Sequence, residues 1–165
     1  MSYVARNDRP AGKAERYAEL AAEISSVLDG EPDRIARMAT VSSMLSDAFE
    51  NYFWTGFYLV DPSKAGGELV VGPYQGTLGC LRIAFGRGVC GAAAAERKTQ
   101  VVEDVHAFPG HIACDSRSNS EIVVPVFDGA GELIAVFDVD STEFASFDAV
   151  DAEWLERILK ATFSV

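Results

Sequence analysis

Between Ala14 and Leu28 the apolar residues Tyr17, Leu20, Ala21, Ile24, Val27 and Leu28 recur at steps of three and four, while Glu15, Arg16, Glu19 and Glu23 fill the opposite side. That period predicts an amphipathic helix. Asp29-Gly30-Glu31-Pro32 ends it, and Pro32 suits the first turn of a second helix whose apolar positions are Ile35, Met38, Ser42, Leu45 and Phe49. The period then changes. Tyr52 to Val60 is dense in aromatic and β-branched residues and stops at Asp61-Pro62-Ser63, with Gly66-Gly67 completing a turn, so it predicts a strand. Trp54 and Tyr58 alternate there with Phe53, Phe57 and Leu59, which makes both faces of that strand apolar.

Glu68 to Gln75 reads as the hairpin partner and Cys80 to Phe85 as another extended piece. Val89 to Lys98, with four consecutive alanines, predicts a short helix, and Gln100 to Val102 a short strand. Glu103 to Asn119 holds no period and carries both histidines, so it is expected to be a long irregular loop of the kind that serves function. Glu121 to Phe127 and Glu132 to Asp140 flank Asp128-Gly129-Ala130-Gly131 and should pair antiparallel. A last helix starts at Asp148 as N-cap, with Asp151 in its first turn and Val150, Trp154, Leu155, Ile158 and Leu159 on one face. The element order is that of an α+β domain, with helices from both chain ends on one face of a mostly antiparallel sheet and a ligand face opposite.

With 165 residues, one domain is expected, running from 14 to 165 behind a flexible extension over 1–13. Fourteen basic against 25 acidic residues give a net charge of −11, so a nucleic acid or an anionic membrane surface is not an expected partner. No run approaches the roughly 18 to 20 apolar residues of a membrane span, and the N-terminal residues lack the apolar core of a secretory signal. A cytoplasmic location is the expectation. The three cysteines, Cys80, Cys90 and Cys114, form an odd set with no CxxC, which argues against both a secreted disulfide framework and a four-ligand zinc site, so they should start as thiols.

Four groups of residues could carry chemistry. Gly86-Arg87-Gly88-Val89-Cys90-Gly91 has the GxGxxG spacing, but the helix after it is short and too little chain follows for a doubly wound sheet; a tight turn explains the glycines. Cys114 has His111, Asp115, Ser116 and Arg117 as neighbours, which can favour its thiolate, and His106 or His111 could serve it as base in a cysteine hydrolase. Cys90, beside the alanine run, fits a cysteine packed as a small hydrophobe. Asp138 and Asp140, at i and i+2 on one strand, project to the same sheet face with Ile134 and Val136, and Glu121 lies near the same end of the neighbouring strand. Crowding raises the pKa of at least one such acid and supplies a proton near neutrality, while another stays ionised and can hold a cation. Solvated strand ends are the plainer explanation, and three carboxylates without a positioned histidine define no metal site.

Taken together, GPYQGTLGCLRIAFGRGVCG (Gly72 to Gly91), VEDVHAFPGHIACDSRSNSEIVVPV (Val102 to Val126) and FDVDST (Phe137 to Thr142) resemble the free methionine-(R)-sulfoxide reductases, an enzymatic branch of the GAF domains. The resemblance covers nearly all of the chain after Asn51. It implies a GAF-like sheet of about six strands with a loop-covered cavity, usually in a homodimer. It makes Cys114 the nucleophile that attacks the sulfoxide sulfur, Cys80 the resolving thiol and Cys90 its substitute. A thioredoxin-type dithiol would reduce the disulfide, and no FAD, NAD or metal is implied. Glu121 and Asp140 would share the proton given to the sulfoxide oxygen, and Asp138 would help hold the substrate ammonium. Trp54, with Tyr58, would line the pocket for the terminal methyl, and the Ser116 to Ser120 loop would offer backbone N–H groups to the carboxylate. The alternative within the same fold is a non-catalytic GAF module that binds a small regulatory ligand.

Overall fold

A computed structural model of the protein describes residues 7–111 and 114–165. Of the expected extension, residues 1–6 lie outside the described residues. In 7–12, Arg9 pairs with Glu23 at 3.1 Å and the Pro10 carbonyl accepts from Arg16 Nε at 2.9 Å. The elements follow in the order α1 (Lys13–Val27), α2 (Arg34–Ala48), β1 (Trp54–Val60), β2 (Glu68–Gln75), β3 (Arg82–Ala84), α3 (Gly88–Glu96), β4 (Gln100–Val102), a 3-10 turn (Val105–Ala107), β5 (Ser120–Phe127), β6 (Leu133–Ser141) and α4 (Ala149–Phe163). The six strands form one antiparallel sheet in the order β3-β2-β1-β6-β5-β4, which is the expected α+β arrangement. Among the described residues, no helix is long and apolar enough to cross a membrane.

The two faces of the sheet bury different groups. On one face Phe57, Ile122, Val124, Phe137 and Val139 meet the apolar stripes of α1, α2 and α4, including Leu20, Met38, Leu45 and Leu155. On the other, Trp54, Tyr58, Val123 and Val136 meet Val89, Ala93 and Ala94 of α3 and Val105 of the long loop. The alternation of side chains along β1 explains this split. Ile134 departs from it: a register shift between Val126 and Phe127 turns it toward the helix-covered core rather than the Asp138 face.

Asp33 caps α2 by accepting from the Ala36 amide at 2.8 Å, so Pro32 lies just outside the helix and not in its first turn. Asp148 caps α4 as expected, within a capping box completed by Asp151. Asp151 also accepts from the Tyr17 hydroxyl at 2.6 Å and from Lys13 Nζ at 2.7 Å, and Tyr17 in turn bonds the Tyr52 hydroxyl. This buried chain fixes α1, α4 and the approach to β1 against one another, because each member satisfies the next.

Candidate active site

Strand register assembles the acidic cluster. Glu121 of β5 lies opposite Asp140 of β6, and Asp140 lies opposite Trp54 of β1, so the three form a row across the middle of the sheet. Asp138, two residues before Asp140, shares that face one step further along the strands. Helix α3 and the loop after β4 cover the row and leave a cavity of about 40 Å³, walled by Trp54, Tyr58, Cys90, Glu121, Asp138 and Asp140 and closed by Cys114.

The glycine motif shapes the roof. Gly86 and Gly88 adopt positive φ of 83° and 61°, and a side chain on Gly91 would meet the Ala84 carbonyl at 2.5 Å. The chain can therefore turn from β3 straight into α3, which lowers Val89 and Cys90 onto the cavity. Gly79 forms part of the opposite wall. A Cβ there would lie 2.9 Å from Trp54 Cζ2 and 3.0 Å from the Tyr58 hydroxyl. Trp54 is itself pinned, donating from Nε1 to the Thr77 carbonyl at 2.9 Å and stacking on Tyr58 and Tyr74.

Cys80 and Cys114 are joined by a disulfide with Cα atoms 5.7 Å apart, within the usual range for such a bridge. Cys90 is free and buried, its thiol directed at Glu121 Oε1 over 3.9 Å. The loop around Cys114 is secured by Asp115, which accepts from Thr77 Oγ1 at 2.9 Å and from Arg117 Nη2 at 2.7 Å. The Arg117 guanidinium lies over the Phe53 ring at 4.8 Å.

Burial dominates the electrostatics of the cavity. It pushes the Asp138 carboxyl up to about 6. It raises Glu121 well above the carboxylate range, and the neighbouring Asp138 and Asp140 charges add to the shift. Asp140 rises for the same reasons, burial first and then the Asp138 charge. The Cys90 thiol is also driven up, by burial and by the three carboxylates around it. Asp115 moves the other way, held low by Arg117 and Thr77. Burial and mutual repulsion thus make the cluster hold protons more firmly than ordinary carboxyls, while Asp115, outside it, is shifted toward its ionised form.

The sequence-predicted residues Cys114, Cys90, Glu121, Asp138, Asp140, Trp54 and Tyr58 line this one cavity, and Cys80 is bonded to Cys114. Ser116 and Ser120 are placed elsewhere. Ser116 is exposed, and the buried Ser120 hydroxyl donates to the Glu143 carbonyl at 2.6 Å. The amides of Arg117, Ser118 and Asn119 already donate to Asp115 and Ser141, so they are not available to a carboxylate in this arrangement. Ser118 lines the cavity instead, beside Asp140, and Arg87 does so from the start of α3. His111, weighed as the base of a hydrolase, faces Glu121 across 3.8 Å, and burial lowers its pKa. The fold-back that selects Ser118 depends on the Asn119 amide donating to Ser141 and the Val105 amide to Asn119, pairings that no local pattern encodes.

Residues 37–161 match the GAF domain family. Over 147 residues the chain is 42% identical to the free methionine-R-sulfoxide reductase of Escherichia coli, covering 89% of this chain and 86% of that one. It is 49% identical over 148 residues to GAF domain-containing protein A of Dictyostelium discoideum, covering 90% of each. The crystal structure of free methionine-R-sulfoxide reductase from Neisseria meningitidis with its substrate superposes with a TM-score of 0.89 at 47% identity, covering 96% of this chain and 93% of that chain. An antiparallel GAF sheet, with acids and cysteines gathered under α3 and relatives this similar over nine-tenths of their length, leads to one assignment: the chain belongs to the free methionine-R-sulfoxide reductase family of GAF domains.

Proposed function

We propose that this protein reduces free L-methionine-(R)-sulfoxide to L-methionine, using Cys114 as nucleophile and Cys80 as resolving thiol. The observation that carries the proposal is the presence of Cys114, Glu121, Asp138 and Asp140 on one cavity with Cys80 bonded to Cys114. The Cys114 thiolate attacks the sulfoxide sulfur while an acid of the cluster protonates the oxygen. The oxygen leaves as water, with Cys114 Sγ now bonded to the substrate sulfur. A water then attacks Sγ and loses a proton, the S–S bond breaks with its electron pair on the methionine sulfur, and Cys114 is left as sulfenic acid. The Cys80 thiol then displaces that oxygen as water and forms the disulfide. A dithiol supplies two electrons and two protons to restore both thiols.

Glu121 and Asp140 suit the first step because burial and neighbouring carboxylates raise their affinity for a proton, the direction a general acid needs. Asp138, with the lowest tendency to hold its proton among the three, is assigned the substrate ammonium. The stacked faces of Trp54 and Tyr58 receive the methyl, and fixing methyl and oxygen on different walls selects one sulfur epimer. A small chamber that seats the ammonium against the buried Asp138 leaves no path for a peptide chain on the amino side, which favours the free amino acid.

A cavity of about 40 Å³ holds a few water molecules, so the substrate reaches it only after the Cys114 loop moves. Reduction of the disulfide releases that loop. The dithiol is proposed to be thioredoxin-like: Leu78 and Leu81, 77% and 69% exposed, flank Cys80 and offer an apolar landing beside the exposed Cys114. Such recycling fits a reducing compartment.

The test is an assay with separated R and S epimers of the free amino acid and a blocked peptide, together with thiol titration. Turnover restricted to the free R form, with two thiols lost per chain, is expected. Binding of the sulfoxide without thiol loss would favour the non-catalytic ligand module, and full activity in Cys114→Ser would remove the nucleophile.

A further inference from the structure

Cys90 has no part in the reaction just described, yet it is directed into the acidic cluster rather than packed away from it. Its Sγ, a Glu121 oxygen and an Asp138 oxygen all lie within 4.8 Å of one another, and all three residues are buried. Asp138 Oδ1 has no hydrogen-bond partner although Asp138 is only 5% exposed and lines the cavity. A buried polar atom left unpartnered in a chamber of this size points to a small charged or polar guest.

We propose that Cys90, Glu121 and Asp138 form a binding site for a thiophilic divalent cation, with Zn²⁺ as the best-fitting ion. The donor set is one sulfur and two oxygens, which suits a borderline ion and not calcium or magnesium. Zinc bonds of about 2.3 Å to sulfur and about 2.0 Å to oxygen put tetrahedral ligands roughly 3.3 to 3.6 Å apart. The 3.9 Å between Cys90 Sγ and Glu121 Oε1 is within a few tenths of an ångström of that spacing. The side chains therefore close on an ion by small movements, and water in the cavity completes the fourth position. Binding releases the Cys90 proton and any proton held by the two carboxyls to solvent, with no change of oxidation state. The site is argued from the cavity and not from the reductase reading, and because it uses Glu121 and Asp138 the cation and the sulfoxide would occupy the chamber by turns.

The oxidised full chain tests it cleanly, because the Cys80–Cys114 bridge leaves Cys90 as the sole thiol of three cysteines. Titration with Co²⁺ should produce a thiolate-to-cobalt charge-transfer band that saturates at one ion per chain and is abolished by added Zn²⁺. Cys90→Ser should eliminate the band, and Asp138→Asn and Glu121→Gln should each weaken the apparent Co²⁺ affinity at least tenfold. If Cys90→Ser fails to fold by circular dichroism, the two carboxylate variants decide the matter. No thiolate band at stoichiometric Co²⁺, a band that survives in folded Cys90→Ser, or affinities untouched by both carboxylate variants would overturn the site.

Discussion

Asp138 illustrates how one side chain can oppose folding and still serve a site. Its pKa in the folded protein, about 6, exceeds the ordinary value near 3.8, so the native state holds the proton more firmly between those pH values. Stability from this group is complete at lower pH and declines as pH rises through that window. Asp138→Asn cannot ionise and should remove the decline, gaining roughly 1–3 kcal/mol over the parent at pH 7.5 relative to pH 4. Urea midpoints at the two pH values measure it; equal differences would mean the carboxyl is not strained by burial. Gly79 makes a sharper point about space. Gly79→Ala drives a methyl against Trp54 and the Tyr58 hydroxyl, and should raise KM for the sulfoxide about tenfold with a smaller change in kcat. Steady-state kinetics with the protein's own fold checked by circular dichroism would show whether that wall touches substrate.

Among the elements, the cap of α4 and the hairpin were the most readable. Asp148 before an apolar face announced α4, and its side chain does accept from the amides of Val150 and Asp151. Asp148→Ala should cost about 1 kcal/mol, a fall of roughly 2–4 °C in Tm by calorimetry, with activity retained. Asp128-Gly129-Ala130-Gly131 set the β5–β6 hairpin, so Glu121 could be placed near the Asp138 and Asp140 end of β6 from the sequence, and it faces Asp140. The loops could not be read in this way. Ser118 displaces Ser116 and Ser120 at the cavity because amides at 117 to 119 are consumed by Asp115 and Ser141, contacts across more than twenty residues in the second case. Ile134 faces the other core because of a bulge that alternation alone does not announce. The exposed Leu78 in the β2–β3 connection bears on recycling. Leu78→Ser should lower kcat/KM for a thioredoxin-like protein about fivefold and leave the rate with dithiothreitol unchanged. Equal loss with both reductants would show that Leu78 acts on the fold instead.

For the molecule as a whole, the central sheet divides labour between its faces: helices α1, α2 and α4 give one side its apolar core, and the reactive groups occupy the other. That division was visible in the doubly apolar β1 and the acids closing β6. Which cysteine partners Cys114 was not visible in the residues themselves, since it depends on how β2, β3 and the long loop converge, and only the resemblance singled out Cys80. The bridge that results fastens the segment before β5 to the segment before β3, over the acidic chamber. Under the proposed mechanism the bridge must open before the sulfoxide can enter, so electron donor and acceptor are expected to visit in turn. Initial velocities at several fixed dithiol concentrations should give parallel double-reciprocal lines, whereas intersecting lines would mean that both reactants can be aboard together.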